Sequence, residues 1–164
     1  MTTGTVKTQG TELFFIDASV SASDPDMIKL ACPTGITGLG GTRDQIEDTC
    51  LDALTDKTYV AGLGNPGQVT VPFNLIPRDT SHQILFTLKE AGTVLKWLAC
   101  LSESTTDPTV DTDDLFVAPA DRTSFAFDAY IADVNIDIAT NEIVRGTLTL
   151  QRSGVVTPTW YTPA

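Results

Sequence analysis

Basic residues, histidine and cysteine are scarce in this chain, and each shortage removes a class of function. Ten Lys and Arg face twenty-one Asp and Glu among 164 residues, a formal charge of −11, and there is one histidine. Proteins that hold DNA or RNA tightly gain most of their affinity by neutralising phosphates, so this balance argues against a tight nucleic-acid binder and against an anionic membrane surface. It leaves room for a wall that DNA slides past. The lone histidine, His82, leaves metal centres and catalytic triads without their usual member. It falls in the first turn of a predicted helix, where the dipole disfavours its charged form, and a polar surface or subunit-contact role is expected. Cys32, Cys50 and Cys100 are odd in number and widely spaced, with no CxxC pair, and read as buried or half-buried thiols made in a reducing compartment. No run of about 18 apolar residues exists, and Met1-Thr2-Thr3-Gly4-Thr5 has neither the basic nor the apolar region of a secretory signal. A soluble, cytoplasmically made protein is expected.

The length suits one domain, residues 1–164, with Thr- and Gly-rich residues 1–10 as an N-terminal arm and residues 153–164 as a C-terminal one. Glu12 to Ala18 and Met27 to Cys32 read as strands. Gly35, Gly38, Gly40 and Gly41 lead into an acidic run, Thr42 to Asp56, whose apolar residues Ile46, Cys50, Leu51 and Leu54 match neither the helical nor the strand period; an irregular long hairpin or loop is expected. Thr58 to Leu63 is strand-like. Val69, Val71, Phe73 and Leu75 alternate with Thr70, Pro72 and Asn74 as in a half-buried strand, and Pro72 places that strand at an edge or a bulge. Thr80 to Ala91 is the one good helix, with Thr80 and Gln83 as a capping box, Ile84, Leu85, Leu88 and Ala91 on one face, and Gly92 as the left-handed stop.

Val94 to Leu101 is apolar on both faces and should be a central strand. Ser102 to Asp121 is a polar loop around an apolar island at Leu115 to Val117. Phe125, Phe127, Ala129 and Ile131 occupy odd positions before the apolar set moves to Val134, Ile136 and Ile138, a phase slip that predicts a bulge near Ala132-Asp133. Glu142 to Arg152 closes the pattern as the partner strand.

The motifs that suggest chemistry fail on inspection. Gly62-Leu63-Gly64-Asn65-Pro66-Gly67 spells GxGxxG, but a strand follows where the pyrophosphate-binding helix should start, and Pro66 removes an amide donor. A hairpin turn is the better reading. Asp107, Asp111, Asp113 and Asp114 share a loop, yet the EF-hand glycine is missing and Arg122 stands where its closing glutamate belongs. No serine lies in a GxSxG elbow. Pairs such as Asp48 with Asp52 are ordinary in an acidic chain. No enzymatic activity and no cofactor are expected.

Taken in order, the Gly-rich approach, Asp44-Gln45-Ile46-Glu47-Asp48-Thr49-Cys50-Leu51-Asp52, the turn at Gly64 to Gly67, Val69 to Leu75, Pro77-Arg78-Asp79 and the helix to Glu90-Ala91-Gly92 resemble the lambda-type major tail tube proteins of long-tailed bacteriophages. Phe127-Asp128-Ala129-Tyr130-Ile131-Ala132-Asp133 and Glu142 to Gly154 resemble that family's paired last strands. The likeness covers about residues 33–155 and lacks the C-terminal immunoglobulin-like domain of some members.

The resemblance implies an α+β, mainly β subunit, a sandwich or barrel with one flanking helix, closing into hexameric rings that stack into a hollow tube. It implies as partners other copies of the chain, a tape measure protein, a tail terminator and a distal tail protein, with DNA passing through unheld and no membrane contact. The location is the virion tail, after assembly in the host cytoplasm. Asp44, Glu47, Asp48 and Asp128 are the candidates for lining the lumen. The hairpin Thr42 to Val60, with Asp44, Glu47, Asp48, Asp52, Asp56 and Lys57, is the candidate contact to the adjacent ring, and Val6, Lys7, Trp160 and Tyr161 are the candidate arm contacts. Two other readings stand beside it: a carbohydrate-binding or adhesin-type β-sandwich using Trp97, Trp160 and Tyr130, and a type VI secretion tube subunit of the same architecture.

Overall fold

The computed structural model describes residues 4–17 and 26–163. Its frame is a six-stranded antiparallel sheet built from β1 (Glu12–Asp17), β2 (Asp26–Lys29), β5 (Gln68–Asn74), β6 (Leu95–Cys100), β9 (Ser124–Asp137) and β10 (Arg145–Thr159) in the order β2-β1-β6-β9-β10-β5. Two further antiparallel pairs stand apart: β3 (Thr42–Glu47) with β4 (Tyr59–Asn65), and the short β7 (Thr109–Val110) with β8 (Phe116–Val117). One helix, α1 (Thr80–Ala91), is present among the described residues. The mainly β, α+β class is as expected, but within one chain the sheets are open and no barrel closes among the described residues.

Alternation decides which sheet face becomes core. Val69, Val71 and Phe73 of β5 are buried beside Leu148 and Leu150 of β10, Phe127, Ala129 and Ile131 of β9 and Trp97 of β6; Leu85 and Leu88 of α1 cover this face. Trp97 lies 4.8 Å from the Phe15 ring and donates its indole N–H to the Ala129 carbonyl at 3.1 Å, so its one polar atom is satisfied in the core. On the other face a smaller cluster of Phe14, Leu98 and Cys100 packs with Phe116 of β8. β6 is the expected central strand, paired with β1 and β9.

β5 is an edge of the sheet, as Pro72 requires. Thr70 exchanges backbone hydrogen bonds with Thr37, and the Pro72 carbonyl accepts from the Thr34 amide at 2.8 Å, so Thr70, Pro72 and Asn74 turn their backbone outward. The missing N–H of Pro72 therefore costs no bond to β10. The predicted slip is also found: Thr149 pairs with Asp133 and Leu150 with Ile131, which leaves Ala132 as the extra residue of a bulge. Gly146 is fixed by contact, because a Cβ there would lie 2.3 Å from the Phe73 ring.

Several boundaries differ from expectation. The helix cap is Asp79, not Thr80: its carboxylate accepts from the Ser81 amide at 2.8 Å, while Gln83 donates to the Pro77 carbonyl. Gly92 closes the helix in the left-handed conformation, as predicted (φ 64°). β2 stops at Lys29 rather than Cys32, which takes φ 47°. Ser102 to Asp121 is not wholly loop, since it contains β7 and β8. The C-terminal arm is shorter than read: residues through Thr159 continue β10, and Thr157, Pro158 and Thr159 pair with Ala126, Phe125 and Ser124.

Candidate functional site

β3 and β4 form a ribbon joined at Thr42↔Asn65 and Glu47↔Tyr59 and prolonged by the Asp48 amide donating to Thr58 O at 2.8 Å. Every residue of β3 is exposed, as are all of β4 except half-buried Gly62. Ile46, Tyr59, Val60 and Leu63 thus face solvent, and Leu51 and Leu54 in the loop beyond are fully exposed. An isolated two-stranded hairpin is marginal in water, and its uncovered backbone edges invite further strands.

The root of this ribbon is built by Arg152. Buried on β10, it donates to the carbonyls of Leu39, Gly40 and Pro66, which precede β3 and follow β4. The Arg152 amide and the Gln151 side chain both donate to Gly67 O, at 3.2 and 3.0 Å. Burial lowers the Arg152 pKa, yet a guanidinium remains charged in proteins. A cation thus ties both strands of the ribbon to the main sheet.

A second buried cation, Arg122, lies just before the start of β9. It donates to Leu101 O at 2.7 Å, Glu12 Oε2 at 2.9 Å, Cys100 O at 3.1 Å, Thr106 O at 3.2 Å and Gly10 O at 3.4 Å. Burial alone would raise the Glu12 carboxyl, but hydrogen bonds from Lys29 and Arg122 outweigh it and hold the group below its ordinary value. Neither arginine's role was visible in the sequence, where both sit among residues of ordinary strand or loop composition.

The residues singled out from sequence fall in three places. Asp44, Glu47 and Asp48 are exposed on the ribbon, with Asp52 and Asp56 in its loop, and Glu47 pairs with Lys57 at 3.2 Å. Asp128 is not with them. It is exposed on β9, in register with Lys96 of β6 and Ser153 of β10. Among the arm residues, Val6 is exposed, the Lys7 carbonyl accepts from Ser102 Oγ, Trp160 meets Phe125 edge-on at 5.7 Å, and the Tyr161 amide donates to Thr123 Oγ1 at 3.1 Å. Both arms are therefore partly docked on their own subunit.

His82 is a correction. It is buried, not at the surface: Nδ1 accepts from the Ile76 amide at 3.0 Å, Nε2 donates to Ala31 O at 2.7 Å, and the ring lies against Phe73. These contacts suit the neutral Nε2–H tautomer and join the helix N-terminus to the chain after β2. Of the thiols, Cys100 is buried, and burial raises its pKa to about 11, whereas Cys32 and Cys50 are exposed, contrary to expectation. The Gly62 to Gly67 segment ends β4 and turns into β5, with no helix behind it. In the acidic loop, Asp111 accepts from the Asp113 and Leu115 amides, each at 2.9 Å, and so shapes the turn between β7 and β8.

Comparison with known proteins decides among the readings. A family model described as phage tail tube, lambda-like, matches residues 4–162. This chain belongs to that family. It is a structural subunit of a phage tail tube, a family whose role is not enzymatic. It is 37% identical over 153 residues to "Structural protein 3" of Pseudomonas phage PAJU2, covering 91% of this chain and 90% of that protein.

The fold of this tail tube subunit is shared with distant solved structures. The SPP1 tail tube aligns with TM-score 0.64 at 10% identity, over 97% of this chain and 81% of that one. A chain of the anti-feeding prophage baseplate aligns with TM-score 0.67 at 12% identity, over 99% and 100%. The tail of an empty gene transfer agent particle, computed with C6 symmetry, gives 0.58 at 14%, over 90% and 95%. The carbohydrate-binding alternative also loses one of its three aromatic residues, because Trp97 is fully buried.

Proposed function

We propose that copies of this tail tube subunit close into hexameric rings, that the rings stack through the β3–β4 ribbon, and that the resulting bore carries genome DNA without holding it. The observation that supports this reading is the ribbon itself: two strands, exposed on both faces and uncovered at their edges, bearing exposed Ile46, Tyr59, Val60 and Leu63, with Leu51 and Leu54 exposed in the loop that joins them. Such an element gains its stability from neighbours. The tail tubes it resembles in fold, including one solved with sixfold symmetry, supply the kind of assembly.

In this reading Asp44, Glu47, Asp48 and Asp128 line the bore. Carboxylates neutralise no phosphate, so DNA gains no counterion-release affinity from the wall and leaves quickly. Val6, Lys7, Trp160 and Tyr161 lace adjacent subunits. The tape measure protein, the tail terminator and the distal tail protein are its further partners in this reading, with assembly in the host cytoplasm. Negative-stain microscopy of the purified protein over a concentration series tests the assembly: rings or tubes with a central bore support it, and a monomer at every concentration contradicts it.

A further inference from the structure

The two ends of the ribbon differ in a complementary way. At the free end, fully exposed Leu51 and Leu54 stand among the exposed carboxylates Asp48, Asp52 and Asp56. At the root lies an open cleft of about 410 Å³, between the strand ends around Thr42 and Asn65 and the Val155–Val156 stretch of β10. Its charged lining residues are both arginines, Arg43 and Arg152, in a chain of net charge −11. Arg152 is committed to carbonyls of the cleft wall, but Arg43 is exposed and makes no salt bridge among the described residues. Val155 offers an apolar wall that is 79% exposed.

The tip cannot fill its own root. Six residues of strand at about 3.3 Å each separate them by about 20 Å, and the ladder between β3 and β4 holds them apart. We propose that the hairpin tip of one copy seats in the root cleft of a second copy, with Leu51 and Leu54 against Val155 and with Asp52 and Asp56 facing Arg43. This rests on the tube-subunit reading and goes beyond it by naming the receptor surface and the groups that meet.

Two physical features favour a second copy as the occupant. The charges are opposite, so acidic loop and arginine-lined cleft attract where the rest of two −11 chains repel. Tip and root are also different patches, so the contact is heterologous: each copy gives its tip to one neighbour and offers its root to another, and the contact repeats without closing on itself along the stack. Arg152 acts here as a positioning residue, since its carbonyl contacts hold the cleft walls.

The test uses tubes of the full chain. Arg43→Glu, an exposed site whose variant should remain monodisperse with unchanged Tm, is expected to raise the concentration needed for tube growth about tenfold or more, and adding Asp52→Arg with Asp56→Arg is expected to restore part of the loss. In a background of Cys32→Ser and Cys50→Ser, Leu54→Cys on one copy and Val155→Cys on another should form an inter-copy disulfide in oxidised tubes. Tubes that form from Arg43→Glu at the wild-type concentration, without any such cross-link, overturn the docking while leaving the tube reading intact. Wild-type protein that never forms tubes overturns both.

Discussion

At the scale of single residues, two buried arginines organise the chain. Arg122 converges on the start of β1, the end of β6 and the loop at Thr106, and its fork cannot be copied by a point-charge ammonium. Arg122→Lys should therefore lower unfolding stability by about 2–4 kcal/mol, read as a lower urea midpoint with an unchanged slope. Its partner Glu12 adds a pH dependence. Because the folded state holds this carboxyl below its ordinary 4.5, its contribution is complete above that value and fades as pH falls through the lower, folded one. Acid titration of Tm should show Glu12→Gln losing stability at neutral pH and responding less steeply than wild type below about pH 4.5.

These residues also mark where the sequence is silent. A buried arginine and an exposed one look alike in a polar segment, and nothing near Arg122 or Arg152 in the chain shows that carbonyls from residues 10, 40, 66 and 101 will gather around them. His82 misleads for the same reason. Its burial is set by the chain after β2 crossing over the helix N-terminus, a contact separated by 51 positions.

At the scale of elements, legibility follows burial. β5, β9, β10 and α1 each bury one face, and their apolar spacing announces them, including the bulge at Ala132 and the edge position that Pro72 demands. β3 buries neither face, so no alternation is imposed and Thr42 to Glu47 reads as irregular although it is a strand. Asp44, Glu47 and Asp48 stand out in that region as candidates, but the root that orients them does not, because Arg152 of β10 makes it. The core offers its own check: Gly146→Ala drives a Cβ into the Phe73 ring and should cost about 1–3 kcal/mol, and Phe73→Leu in the same chain should recover part of it in a double-mutant cycle.

At the scale of the whole molecule, the open sheet, the solvent-bound ribbon and the net charge make sense together only in an assembly. Alone, the subunit leaves Leu51, Leu54, Leu63 and Trp160 in water. In the proposed stack these side chains are contacts, and the exposed acids form a wall that phosphates avoid. If the bore is acidic, assembled wild-type tubes should not retard duplex DNA at about 50 mM salt, where retention by cationic surfaces is strong. Tubes carrying Asp44→Lys, Glu47→Lys and Asp128→Lys should retain it in a manner that weakens steeply as salt rises. The most direct test is a helical cryo-electron-microscopy reconstruction of tubes grown from the purified chain. Stacked rings joined through the β3–β4 ribbon around a channel faced by carboxylates are expected. A channel faced by lysine and arginine, or rings that meet without the ribbon, would contradict it.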